Sequence, residues 1–149
     1  MLTLVLLLRC VKRTSDDLDI YVGTTRSFEW YWNADDEMLG RDASEELDED
    51  DQDAILATVK YWGDLERGKH IAKSRVNEEH DDPKILAIKA GKHRFTVFHA
   101  GADVWIVCDY YPKQKQKLDK IGKASVRRTI AAMDDYVRRT QRGEYYERN

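Results

Sequence analysis

Three short apolar segments separated by glycine-containing turns occupy residues 85–111, and no other pattern restricts the fold as much. The segments cover residues 85–89, 93–99 and 104–111, with turns at Gly91 and at residues 100–102. Runs rich in β-branched and aromatic residues between such turns are typical of antiparallel strands. Pro112 cannot donate a hydrogen bond to a central ladder, so we expect the pairing to stop there. The pattern predicts a three-stranded meander.

Two segments with helical spacing flank the meander. Within residues 44–68, Ile55, Val59 and Trp62 share one face, acidic residues lie opposite, and Asp48 is the expected N-cap. The second helix is predicted over residues 119–139, with an apolar stripe formed by Val126, Ile130, Met133 and Val137. Residues 28–32 predict a further strand, and residues 70–83 are expected to form a polar connection.

This order of elements predicts an α+β domain in which helices pack on one face of a small antiparallel or mixed sheet. The other face would then be open to a ligand such as nucleic acid. We expect one domain over residues 1–149, with residues 1–26 forming an N-terminal extension or an added strand. The apolar run at residues 4–8 is far shorter than the ~20 residues that cross a bilayer, so it predicts a buried strand.

Several classes of protein do not fit the sequence. The two cysteines, Cys10 and Cys108, are too few for a disulfide scaffold and lack the paired spacing of a zinc site. The sequence also contains no glycine-rich phosphate loop, no His-Glu-x-x-His and no serine nucleophile elbow. We therefore expect a cytoplasmic protein that needs no metal or cofactor and does not associate with a membrane.

The formal net charge of -3 hides a division between the two parts of the chain. Residues 1–83 contain 10 Lys/Arg and 21 Asp/Glu, whereas residues 84–149 contain 15 and 7, giving charges of -11 and +8. A basic half of this kind favours contact with a polyanion, since net charge governs non-specific attraction. The alternative is a pair of solvated faces that neutralise each other.

Groups that can handle a phosphodiester are concentrated in one predicted hairpin and its exit. They are Lys84, Lys89, Lys92, His93, Arg94, Asp109, Tyr110, Tyr111, Lys113, Lys115 and Lys117. In RNA cleavage without a metal, a base removes the 2′-hydroxyl proton, cations stabilise the added negative charge, and an acid protonates the leaving oxygen. His, Asp and Tyr suit the proton transfers, and Arg and Lys suit the charge stabilisation.

Each of these residues also has an ordinary structural explanation. Arg94 suits a surface cation or an ion pair on the sheet, and the alternating Lys/Gln run suits a solvated loop. Alternation along the last strand predicts that Asp109 and Tyr111 share one face, while Tyr110 shares the other with Ile106 and Cys108. Whether Arg94 joins the face of Tyr111 or that of Tyr110 depends on the hairpin register, which stays open.

The order of these elements resembles the RelE/ParE toxin superfamily, nearest to its HigB-like, phage-related branch. The resemblance is carried by ILAIKAGKHRFTVFH at residues 85–99 and VWIVCDYYPKQK at residues 104–115, and it extends over roughly residues 27–140. That branch has an Arg-bearing strand, a hairpin, an apolar strand ending in an aromatic residue, a Lys-rich exit and a basic helix.

The resemblance implies a ribosome-dependent, metal-independent mRNA endonuclease of a type II toxin–antitoxin system, in which the 2′-hydroxyl attacks the scissile phosphate. It also implies a cognate antitoxin, expected to be a helix-turn-helix protein. The implied catalytic residues are Arg94, Lys89, Tyr111 or Tyr110, Lys113, Asp109 and His93. The basic clusters of the second half of the chain supply the expected RNA-binding residues, which are Lys84, Lys92, Lys115, Lys117, Lys120, Lys123 and Arg127. The alternative is a non-enzymatic member, either a gyrase-type inhibitor or an inactive phage-derived binding module.

Overall fold

The computed structural model describes residues 12–114 and 118–147, which form four helices and six strands. The helices are α1 (Ser15–Leu18), α2 (Leu39–Glu45), α3 (Glu49–Asp64) and α4 (Lys120–Gln141). The strands are β1 (Asp19–Val22), β2 (Ser27–Trp30), β3 (Val76–His80), β4 (Ile85–Ala90), β5 (His93–Gly101) and β6 (Val104–Pro112). The strand predicted at residues 4–8 lies outside the described residues, as do Cys10, Lys115 and Lys117. None of the helices in the described ranges is long and apolar enough to cross a membrane.

The described strands form one mixed sheet in the order β1-β2-β6-β5-β4-β3. Strands β2 and β6 pair in parallel, whereas the other neighbouring strands pair antiparallel. Strands β4, β5 and β6 are the three predicted from the sequence, and they form the predicted meander. The α+β class, with helices packed on a mixed sheet, is confirmed.

The two long helices cover opposite faces of this sheet. Val59 of α3 belongs to the same buried cluster as Val97 of β5, whereas Val126 of α4 belongs to a second cluster with Phe98 of β5. Val97 and Phe98 are consecutive and both fully buried, so β5 is covered on both sides. The expected placement of the helices on one face is therefore corrected, and so is the expected open sheet face. The physical reason is the nearly continuous apolar run of β5, which needs cover on both sides.

Aspartate side chains begin both long helices. Asp48 accepts a hydrogen bond from the backbone N of Asp51 at 2.8 Å, and Asp119 accepts one from that of Gly122 at 2.9 Å. These carboxylates satisfy free N–H groups and interact favourably with the positive end of the helix dipole. The N-cap predicted at Asp48 is confirmed. The helix predicted over residues 44–68 is divided between α2 and α3.

The two edge strands lie in segments with a weak strand pattern. Strand β1 adds to the sheet beside β2, within the segment where an extension or an added strand is expected. Strand β3 lies within residues 70–83, so the prediction of a polar connection there is wrong for residues 76–80. Val76 is the buried residue of β3. An edge strand needs few apolar residues, because charged and polar side chains protect it from pairing with other chains.

The turn between β1 and β2 lies against the last turn of α3. A Cβ atom placed on Gly23 would stand 2.5 Å from the backbone carbonyl carbon and oxygen of Gly63. Because backbone cannot move aside as a flexible side chain can, we expect Gly23→Ala to lower the free energy of unfolding by about 1–3 kcal/mol. Val22→Ala changes a side chain that is 64% exposed and should have an effect below about 0.5 kcal/mol. Chemical denaturation of both variants checks this, and equal stabilities would contradict the close approach.

Candidate functional site

Three side chains from neighbouring strands form a row across the sheet. Lys89 of β4 is paired with Arg94 of β5, and Arg94 is paired with Tyr111 of β6. Directly paired residues project to the same side of a sheet, so Tyr111, not Tyr110, accompanies Arg94. Lys113 follows at the end of β6, and we call Lys89, Arg94, Tyr111 and Lys113 the cationic row.

The cationic row lies on the face covered by α4, beside the start of that helix. A Cβ atom placed on Gly122 would stand 3.0 Å from a ring carbon of Tyr111, which shows how closely the first turn of α4 approaches the ring. The backbone N of Lys113 donates to the carbonyl oxygen of Lys92 at 2.7 Å, which holds the end of β6 against the β4–β5 turn. The row is therefore built on paired strands and a helix terminus.

A tight turn joins β5 to β6. Ala102 and Asp103 have φ angles of 49° and 68°, as the commonest two-residue hairpin turn requires at both central positions. The expected turn over residues 100–102 is therefore displaced towards β6, and β5 extends to Gly101.

An extra residue in β6 changes the alternation of its side chains. Thr96 pairs with Asp109 and Val97 with Val107, which leaves Cys108 as the extra residue of β6. The expectation that Ile106 and Cys108 share the face of Tyr110 is wrong. Both lie in the cluster against α4, whereas Tyr110 packs in the cluster against α3. A bulge reverses the facing of every residue on one side of it.

Tyr111 is held by a carboxylate that the sequence pattern does not single out. Its Oη donates to Oε1 of Glu79 at 2.8 Å, although β4 and β5 lie between the two strands that carry these residues. Tyr111 is almost fully buried, and both burial and the hydrogen bond to Glu79 raise its pKa. Val76 of β3 packs in the cluster against α3, so the alternation along the strand places Glu79 on the opposite face, with Tyr111. No local signal in residues 70–83 reveals this geometry.

The three cations of the row affect one another. Burial lowers the pKa of Lys89, and the charges of Arg94 and Lys113 lower it further, while Glu79 acts in the opposite direction. Among the described residues, none of the three forms an ion pair. The row therefore concentrates positive charge that no carboxylate within 4.0 Å neutralises.

Arg94 has one donor without a partner. Its Nη1 donates to the carbonyl oxygens of Gly91 at 2.6 Å and His93 at 2.9 Å. Its Nε is buried and has no hydrogen-bond partner in the described part of the chain. A buried N–H of this kind gains free energy from any acceptor that reaches it.

His93 lies on the other face, under α3. Its Nδ1 shares a hydrogen bond with Oη of Tyr110 at 2.7 Å, and its Nε2 lies 3.3 Å from Oδ2 of Asp51 in the first turn of α3. Because consecutive strand residues point to opposite sides, the structure does not bring His93 together with Arg94. The contacts of His93 join the β4–β5 hairpin to α3.

Asp109 shares the face of the row but is engaged by α4. Its Oδ2 accepts from Oγ of Ser125 at 2.7 Å and from Nε of Arg128 at 2.9 Å. Oγ1 of Thr96 and Oγ1 of Thr129 lie 2.6 Å apart and continue this polar network between the sheet and α4. Asp109 is only 8% exposed, and its hydrogen bonds hold α4 against β6.

The other cations predicted to contact RNA lie at the surface. The exposed residues are Lys84, Lys92, Lys120, Lys123 and Arg127. The last three belong to the first two turns of α4, in which Gly122 lies against the ring of Tyr111. In residues 12–114 and 118–147, no group of three or more His, Cys, Asp or Glu side chains is arranged to hold a metal ion.

No protein-family model matches this chain, and no curated protein sequence matches it. The function must therefore be inferred from the geometry of the cationic row and from its neighbours.

The hydrogen bonds of Asp109 predict a structural effect of its removal. We expect Asp109→Ala to lower the free energy of unfolding by about 2 kcal/mol, because it leaves the buried Ser125 hydroxyl and Arg128 without their acceptor. Asp134→Ala removes an exposed carboxylate from the same helix and should change stability by less than about 0.5 kcal/mol. Urea denaturation compares the two, and equal midpoints would mean that the Asp109 carboxylate does not fasten α4.

Proposed function

We propose that this chain is the RNA-cleaving toxin of a type II toxin–antitoxin system, and that it cuts ribosome-bound mRNA without a metal ion. The cationic row carries the proposal, since Lys89, Arg94 and Tyr111 stand side by side on three paired strands. The same residues are those that the resemblance to the RelE/ParE superfamily implies. The row supports this function because phosphate is the ligand that unpaired, closely spaced cations on a rigid sheet favour.

Phosphate binding would relieve two unfavourable features of the free protein. It would neutralise the repulsion from Arg94 and Lys113 that, after burial, lowers the pKa of Lys89, and it would add a counter-charge to the Arg94 guanidinium, which has no ion-pair partner among the described residues. The exposed Lys92, Lys120 and Lys123 extend the positive surface beyond the row, where contacts to neighbouring phosphates would set the position of the strand without reading its sequence.

When the RNA's own 2′-hydroxyl attacks the phosphate, the row can stabilise the developing negative charge and protonate the leaving oxygen. Arg94 and Lys113 would stabilise the negative charge that develops on the oxygens bound to phosphorus. Lys89 would protonate the departing 5′-oxygen, because a lowered pKa makes its ammonium group a stronger acid than an ordinary lysine. Tyr111 already donates its hydroxyl hydrogen to Glu79, so its role is to position that carboxylate.

The acidic part of the chain leaves this face accessible to a polyanion. Residues 45–53 contain seven carboxylates and no Lys or Arg. Helix α3, which carries four of them, packs on the face opposite the cationic row. Asp51 approaches the β4–β5 turn, where it contacts His93. Screening in salt weakens the repulsion from the far face more than the attraction at contact distance.

The proposal includes the partners and the compartment that this activity requires. The ribosome presents the mRNA, a cognate antitoxin of the helix-turn-helix type blocks the toxin, and both interactions take place in the cytoplasm. A non-enzymatic inhibitor of DNA gyrase is the competing function, and it predicts altered DNA supercoiling with intact mRNA.

Arginine 94 provides the first test of the proposed nuclease. We expect the purified chain to cut mRNA on translating ribosomes, and Arg94→Ala to lower the rate at least about 100-fold, as loss of a charge-stabilising group does. Arg138→Ala removes the same charge about 24 Å from Gly122 along α4 and should cleave at the wild-type rate. Mapping of RNA 5′ ends measures both. Intact mRNA with the wild-type chain would contradict the proposal, and a change in supercoiling by gyrase would favour the competing function.

The lowered pKa of Lys89 predicts a pH dependence of cleavage. An acid must be protonated to act, so the rate should fall as pH rises through the pKa of Lys89, at a pH below the ordinary lysine value of 10.5. Lys89→Arg keeps the charge but removes a group that can release a proton, so we expect about 100-fold slower cleavage and no fall at basic pH. Lys60→Arg, at an exposed lysine of α3 on the opposite face, is the matched control. A wild-type profile that is flat up to pH 10.5 after subtraction of enzyme-free hydrolysis would contradict this role.

A further inference from the structure

Glu79 is the one carboxylate in the described residues that hydrogen-bonds to a member of the cationic row. We propose that Glu79 is the catalytic base, which accepts the 2′-hydroxyl proton when RNA lies on the row. This inference rests on the proposed function, because it names the missing proton acceptor of the same site.

The geometry of Glu79 suits a base that is held in place by a neighbour. Its Oε1 accepts the Tyr111 hydroxyl hydrogen at 2.8 Å, whereas its Oε2 has no hydrogen-bond or ion-pair partner in residues 12–114 and 118–147. One oxygen therefore fixes the orientation of the carboxylate, and the other remains able to accept a proton. A positioned base of this kind is what proton transfer in a transition state requires.

The position of Glu79 follows from the alternation of side chains along β3. Val76 packs in the cluster against α3, and Glu79 lies three residues further along the strand, so its side chain points to the opposite face, where Tyr111 lies. The pairing with β4 shifts at this point, since Glu78 pairs with Leu86 and His80 with Ile85. Glu79 and Tyr111 meet across the width of β4 and β5.

The other groups suited to proton transfer are engaged elsewhere. His93 lies on the opposite face with Asp51 and Tyr110. Asp109 accepts hydrogen bonds from Ser125 and Arg128, and Asp119 accepts one from the backbone of Gly122 as the N-cap of α4.

The cleavage step balances with Glu79, Lys89 and the RNA alone. Oε2 of Glu79 takes the proton from the 2′-hydroxyl, and an electron pair of the 2′-oxygen forms a bond to phosphorus. The bond from phosphorus to the 5′-oxygen breaks, its electron pair stays on that oxygen, and the Lys89 ammonium gives it a proton. The products are a 2′,3′-cyclic phosphate and a 5′-hydroxyl end. Proton transfer through solvent then restores Glu79 and Lys89.

The test compares Glu79→Gln with Glu78→Gln in the full chain. Glutamine in place of Glu79 still accepts the Tyr111 hydrogen bond, so the fold and Tyr111 should be retained while the base is lost. Glu78 is exposed and next in the chain, and its replacement removes the same charge. We measure cleavage on translating ribosomes, and binding of a 2′-O-methyl RNA that cannot be cut.

The expected result is a loss of at least about 100-fold in cleavage for Glu79→Gln. Binding of the 2′-O-methyl RNA and the activity of Glu78→Gln should stay at wild-type levels. If the wild-type chain cuts mRNA and Glu79→Gln cuts equally well, the base assignment is overturned and the nuclease stands. An equal loss of binding and cleavage would assign Glu79 to binding and also overturn it. If the wild-type chain does not cut mRNA, both proposals fail.

Discussion

The register between β5 and β6 determines which residues face which helix. Arg94 pairs with Tyr111 at one end of the two strands, and the tight turn at Ala102 and Asp103 closes the other end. Between them, the extra residue Cys108 changes the alternation, so that Ile106 and Tyr111 both face α4 although they are five positions apart. A register shifted by one residue would replace Tyr111 by Tyr110 beside Arg94 and separate the phenol from Glu79.

The sheet also separates charge of opposite sign. Helix α3 begins with Glu49, Asp50 and Asp51 on one face, whereas α4 begins with Lys120 and Lys123 next to the cationic row on the other. The net charge of -3 is therefore an average over two surfaces that a ligand meets separately. This arrangement reconciles an acidic chain with a proposed polyanionic substrate, because electrostatic attraction depends on the local field more than on the total charge.

Local patterns predict the parts of the fold that depend on local interactions. The meander follows from the apolar runs and glycine turns, and the N-cap at Asp48 follows from the aspartate before a helical stripe. Contacts between residues that lie far apart in the chain cannot be predicted from such local patterns. The two-sided burial of β5 is suggested by its apolar run, yet the choice of face for each helix depends on packing across the whole sheet.

The candidate site likewise combines residues that local patterns indicate with one residue that they do not. Lys89, Arg94 and Lys113 are candidates from the sequence, which leaves Tyr110 and Tyr111 as alternatives, and the structure places Tyr111 beside Arg94. Glu79 cannot be identified, because its contact with Tyr111 depends on the strand order of the sheet and on a reach from a polar edge strand across two other strands. His93 is adjacent to Arg94 in the chain but points to the opposite face, where Asp51 of α3 contacts it.

The central claim is that the face bearing the cationic row binds RNA phosphate. Nuclear magnetic resonance of the labelled chain, titrated with a short 2′-O-methyl RNA, tests it residue by residue. The account predicts that the largest shifts occur at Lys89, Arg94, Tyr111 and Lys113, that Asp51 and Tyr110 on the α3 face shift little, and that added salt reverses the changes. Shifts centred on Asp51 and Tyr110, or none at the row at saturating RNA, would contradict it.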